Sequence, residues 1–118
     1  DMSKLYAPSL RKIMVDVAKE SDIKLHQGIY AGVLGPSYET PSEVRMIKTL
    51  GGDLVGMSTV FEAIAAHHAG LKVCGVSCVT NMASGILDKE LAHEDIKEKA
   101  NLAFQSFSSL IEKFIEKL

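Results

Sequence analysis

The chain has 118 residues, the usual size of a single domain. Hydrophobic residues make up 47% and charged residues 24%, which excludes a disordered polypeptide. Lys and Arg total 13 and Asp and Glu 15, for a net charge of −2, with no Trp and 6% aromatics, so neither a basic field nor a stacking platform for nucleic acid is present.

Residues 7–20 read as the first helix, because Leu10, Ile13, Met14 and Val17 recur at three- and four-residue steps. Residues 26–34 read as a strand of small and apolar residues, closed by a Gly35-Pro36-Ser37 loop. A second helix starts at Thr40-Pro41-Ser42-Glu43, where Thr40 caps, Pro41 suits the first helical position and Glu43 completes a capping box. It ends at Gly51-Gly52. Residues 53–57 form a short strand. Thr59 and Glu62 predict a second capping box for a third helix that runs to about His68 and stops at Gly70.

Residues 71–80 are a continuous, mostly apolar run that predicts a strand buried on both faces. A loop from Asn81 to about Ala92 follows. The last helix, about 93–118, carries Ile96, Ala100, Ala103, Phe104, Phe107, Leu110, Ile111, Phe114, Ile115 and Leu118 on one face. Strands separated by short helices predict a parallel or mixed α/β sheet, with ligands at the carboxyl ends of the strands.

No apolar run approaches the ~20 residues of a membrane span. The longest, Leu71 to Val79, is broken by Lys72 and Ser77. Asp1-Met2-Ser3-Lys4 lacks the charged-then-apolar order of a signal peptide, and no Met stands at position 1, a hint that the chain begins inside a longer polypeptide. Cys74 and Cys78 fall on one face of a predicted strand, roughly 13 Å apart at ~3.3 Å per residue, too far for a disulfide. Two reduced, buried thiols of a cytosolic protein are expected, and no ligand cluster for a metal is visible.

The chemistry-bearing residues gather at the predicted strand ends. Ser58-Thr59 begins a helix and suits an anion, or simply caps. Glu39, in the Gly-Pro-Ser-Tyr-Glu loop, can accept hydrogen bonds from a planar ligand or can serve the helix dipole. Thr80-Asn81 ends the apolar run, and Asn81 offers both the donor and the acceptor a heteroaromatic base needs, or else a turn residue. His93 opens the last helix and can bond a hydroxyl, or lie on the surface. Met57 and Tyr30 suit a core as well as a contact, and His67-His68 reads as structural.

In order along the chain, Gly35-Pro36-Ser37-Tyr38-Glu39-Thr40, Val55-Gly56-Met57-Ser58-Thr59, Thr80-Asn81 and Ala92-His93-Glu94 closely resemble the trimeric purine nucleoside phosphorylases. The spacing matches too, apart from a slightly shorter loop between Asn81 and His93. Asp1-Met2-Ser3 followed by Tyr6 resembles a family segment that normally follows Arg-Phe-Pro. The resemblance covers the whole chain but only part of the family's length. It implies the C-terminal portion of a single phosphorylase domain, with the N-terminal part and its remaining phosphate ligands missing.

The resemblance implies a three-layer fold with a mixed sheet and flanking helices. It implies reversible phosphorolysis of inosine, guanosine and their deoxy forms by a cytoplasmic homotrimer, with phosphate as co-substrate and neither metal nor cofactor. By position it assigns Ser58 to phosphate, and Tyr30, Met57 and His93 to the pentose. Tyr38, Glu39, Thr80, Asn81 and Ala83 fall to the base, and Asn81, Glu39 and His93 carry the catalysis. A methylthioadenosine phosphorylase of the same fold is the alternative, but that relative has an acidic residue where Asn81 stands and lacks the His. An inactive fragment with an exposed sheet edge is the non-enzymatic alternative.

Overall fold

The computed structural model describes residues 1–87 and 99–118 in full, and the backbone of residues 93–98. The chain divides into two compact units: residues 1–26, 59–77 and 103–118, and residues 27–58 and 78–102.

The first unit is built on α1, Pro8–Glu20. Pro8 opens it because the first helical N–H has no intrahelical partner to lose. Of the predicted stripe, Met14 and Val17 are buried, at 5% and 1% exposed, and Leu10 and Ile13 are half-buried beside them, while Ala18, outside the stripe, is also buried at 2%. Beyond Ser21 the chain reverses through Asp22, at φ 53°, a conformation that a short polar side chain tolerates. Leu110 and Phe114, from α4 (His93–Glu116), close this core, with Leu10, Ile13, Ile23, Leu25, Cys74, Val76 and Ile111 packed around it. Lys113 Nζ donates to Ser21 Oγ at 3.0 Å, and Lys117 pairs with Glu20. A third helix, α3 (Val60–His68), buries Ala63, and His67 Nε2 lies 3.2 Å from the Asp1 carbonyl.

Several expectations need correction here. The run 71–80 is not a continuous buried strand: its only bridge among the described residues is Tyr6↔Val73, with Ala7 N–H donating to the Val73 carbonyl at 2.8 Å. Apolar content makes a strand only where a neighbour supplies the ladder. Leu71 and Val79 are 61% and 60% exposed, so that neighbour is lacking at both ends. The thiols follow the same pattern: both are free, but Cys78 is exposed and Cys74 only half-buried, where burial pushes the Cys74 thiol up.

The α4 stripe is likewise half covered. Leu110 and Phe114 are buried, while Phe104, Ile115 and Leu118 are 66%, 61% and 69% exposed. Ile96 lies outside the residues whose side chains are described.

In the second unit, β1 (Tyr30–Gly32) and β2 (Leu54–Gly56) pair in parallel, with Tyr30 opposite Leu54 and Gly32 opposite Gly56. The predicted strands thus shorten to three residues each, since the ladder reaches little further. Asp53 and Leu54 N–H donate to the Ile29 carbonyl, and Val33 N–H to the Gly56 carbonyl. Asp53 Oδ2 also accepts the Ile29 N–H at 2.9 Å. Helix α2 (Pro41–Thr49) joins the strands, and its capping box is present as expected. Thr40 Oγ1 accepts the Glu43 N–H at 3.3 Å, while Glu43 Oε2 accepts from Thr40 N–H at 2.7 Å. The Thr40 N–H, and the Thr40 hydroxyl that donates to the same Oε2 at 2.8 Å, hold the Glu43 carboxyl below its ordinary range. Helices alternating with parallel strands bear out the α/β class.

Leu110→Ala should cost ~2–5 kcal/mol in urea unfolding, because it opens a cavity against α1. Leu102→Ala, at a position 76% exposed, should stay within ~0.5 kcal/mol. Equal losses would mean that the core lies elsewhere.

Candidate functional site

Parallel pairing sends β1 and β2 out of the sheet in the same direction. The loops that follow, Val33 to Glu39 and Met57-Ser58, therefore leave from one edge. Side chains alternate along a strand, so Tyr30, Leu54 and Gly56 share a face. The Tyr30 ring runs along that face over Gly56. A Cβ on Gly56 would stand 2.2 Å from Tyr30 Oη and 3.0 Å from its Cζ, so no side chain fits there. Tyr30 Oη then accepts the Ser58 N–H at 3.4 Å.

The second link between the loops is made by Met57. Its Sδ lies where a Cβ on Gly35 would approach to 2.5 Å, and Gly35 has φ +66°. Both facts demand glycine at that position. The Gly35-Pro36 peptide is cis. Beyond it, Tyr38 is exposed, and Glu39 is half-buried directly before the Thr40 cap.

The Asn81 segment meets the same region through Gly85, where a Cβ would come within 2.7 Å of Pro41 Cβ. A turn closed by Ile86 N–H to the Ala83 carbonyl, 3.2 Å, shapes this stretch, and Ala83 is half-buried. Thr80 Oγ1 donates to Asn81 Oδ1 at 3.3 Å. With its oxygen engaged, Asn81 keeps two amide N–H donors to offer. The structure thus draws the Glu39 loop towards both Met57-Ser58 and the Asn81 turn, within one unit. His93 is the first residue of α4, but its side chain, like the structure of Ala92, lies outside the described residues.

The capping box predicted for Thr59 and Glu62 is not formed. Thr59 sits at φ 70° and ψ −49°, and its side chain makes no cap bond to α3. An N-cap hydroxyl reaches the first turn from an extended backbone, as Thr40 does at φ −69° and ψ 158°. A β-branched residue at positive φ is an unusual, strained placement.

Sequence reasoning missed the contacts that Gly35, Gly56 and Gly85 make. A glycine inside a strand pattern already signals a close approach, as Gly56 does, but nothing local says to what. Among the described residues no group of three His, Cys, Asp or Glu could hold a metal ion. None of the described helices is long and apolar enough to cross a membrane.

These features define an α/β protein with polar loop residues gathered where its two described parallel strands end. The chain belongs to the phosphorylase superfamily, whose family model matches residues 1–116. Purine nucleoside phosphorylase 1 of Geobacillus stearothermophilus is 43% identical over 118 residues, all of this chain and 43% of its own length. A Moorella thermoacetica protein named "Probable 6-oxopurine nucleoside phosphorylase" is 46% identical over 99 residues, 83% of this chain and 38% of its own. The crystal structure of Schistosoma mansoni purine nucleoside phosphorylase with inosine superposes at a TM-score of 0.94 with 39% identity, over 100% of this chain and 43% of that one. A structure of that enzyme with adenosine matches at the same TM-score, 0.94. The family expected from the ordered motifs is the family found, and the chain spans under half the length of these relatives.

Gly35→Ala and Gly70→Ala both place a Cβ at positive φ, which costs ~1–2 kcal/mol each. Only Gly35 has a neighbour within 4 Å, so only Gly35→Ala should displace Met57. The ¹³C-methyl resonance of Met57 should shift in that variant and stay in place in Gly70→Ala. A Met57 signal unmoved by Gly35→Ala would contradict the contact.

Proposed function

We propose that this chain is the C-terminal part of a single purine nucleoside phosphorylase domain, carrying its base and pentose contacts and one phosphate contact. The observation that carries the reading is the convergence of the Glu39 loop with Met57-Ser58 and with the Asn81 turn. The relatives' names support the same chemistry.

Phosphorolysis breaks the bond between the pentose anomeric carbon and purine N9. The bonding pair leaves with the base, and a phosphate oxygen forms the new bond to the anomeric carbon. Positive charge grows on the sugar and negative charge on the purine, so fixed donors at the base lower the barrier. Asn81 donates to N7 and the six-position oxygen through the amide protons that Thr80 leaves available. Glu39 accepts from N1–H. Tyr38, Thr80 and Ala83 flank the ring, and Met57 and Tyr30 line the pentose. His93 bonds the 5′-hydroxyl, and the Ser58 hydroxyl contacts phosphate. No metal or organic cofactor enters these steps, and phosphate is the co-substrate. The complete protein is proposed to act as a cytoplasmic homotrimer.

Asn81→Asp tests the base assignment in the complete protein. A carboxylate repels a six-position oxygen but accepts from a six-position amino group. Inosine kcat/KM should fall by about 10²-fold, as for loss of a charge-stabilising donor. The adenosine-to-inosine ratio of kcat/KM should rise. The neighbour solved with adenosine makes binding alone a poor readout, so turnover is compared. A ratio that does not rise would remove Asn81 from the base site.

A further inference from the structure

Tyr30 has a hydroxyl whose partner is protein rather than solvent alone, and the strand register explains why. Tyr30 stands opposite Leu54, and Leu54, Gly56 and Ser58 follow at two-residue steps. The Tyr30 ring leans forward over the bare Gly56 backbone, where Oη would touch any Cβ at 2.2 Å. Its hydroxyl is thereby delivered one step further, to the Ser58 N–H at 3.4 Å. A larger residue at 56 would turn the ring away, and a shorter one at 30 would not span the distance.

We propose that Tyr30 is a positioning residue for the phosphate contact: its hydroxyl anchors the Ser58 amide and so sets where the Ser58 hydroxyl stands. This rests on the phosphorolysis reading, in which Ser58 meets phosphate, and it refines the role of Tyr30. The Tyr30 ring remains a wall of the pentose site, while its oxygen is committed to Ser58. The Ser58 N–H is likewise committed. Unlike a ligand contact, the Tyr30 hydroxyl then acts only through Ser58.

The test uses the complete protein with Tyr30→Phe, Ser58→Ala and the double variant. Steady-state kinetics with inosine give the phosphate and inosine KM values, and amide hydrogen exchange gives the protection of Ser58. Loss of one neutral hydrogen bond should raise the phosphate KM ~5–10-fold in Tyr30→Phe and leave the inosine KM within ~2-fold. In the Ser58→Ala background Tyr30→Phe should add nothing further to the phosphate KM. Ser58 exchange should accelerate in Tyr30→Phe.

Equal phosphate losses in both backgrounds would overturn the proposal and make Tyr30 a direct ligand contact. Unchanged Ser58 exchange would overturn it by removing the bond. A wild-type protein without phosphorolysis would defeat the functional reading instead, and the exchange comparison would still decide whether Tyr30 anchors Ser58.

Discussion

The parallel register between β1 and β2 is the constraint on which the site depends. Only three residue pairs form it, yet it places Gly56 on the same face as Tyr30 and one step ahead of it. A slip of one residue would move Tyr30 to the opposite face and separate it from Ser58. With the register kept, Tyr30 reaches Ser58, and the Met57 thioether rests against Gly35. The Asp53 carboxylate supports the other end of the pair by accepting the Ile29 N–H.

The two units are held by different means. Every buried side chain among the described residues belongs to the first: Met14, Val17, Ala18, Ala63, Leu110 and Phe114. The second has a ladder, a capping box and close contacts at Gly35, Gly52, Gly56 and Gly85 in place of a core. Regions with few buried apolar contacts open at low free-energy cost. Residues that must admit and release a ligand are suited to such a region, provided that backbone contacts keep their geometry. Glycine serves that purpose because it lets another residue's side chain rest directly on the main chain.

Much of this was legible in the sequence. The apolar stripe of α1 and the capping box at Thr40 each rest on local spacing, and both are present. The ordered motifs carried the family. What was not legible depends on distant partners. Residues 71–80 have the composition of a buried strand, but among the described residues their one bridge is at Val73. Thr59 and Glu62 have the spacing of a capping box, but a positive φ turns Thr59 out of the capping geometry. The site residues were named singly from strand ends. Their mutual placement came from Gly35, Gly56 and Gly85, whose partners are remote in sequence or reached by loops that periodicity does not describe.

The contact between Tyr30 and Gly56 can be measured without reference to activity. A double-mutant cycle with Gly56→Ala and Tyr30→Phe, followed by urea unfolding, isolates it. Gly56→Ala in the wild-type background places a Cβ 2.2 Å from Oη and must shift the ring. In the Tyr30→Phe background that oxygen is gone and the nearest ring atom lies 3.0 Å away, so the same change should cost less. The account expects a coupling of ~1 kcal/mol or more between the two positions. Additivity within ~0.3–0.5 kcal/mol would mean that Tyr30 does not lie over Gly56, and the arrangement described for the site would be wrong.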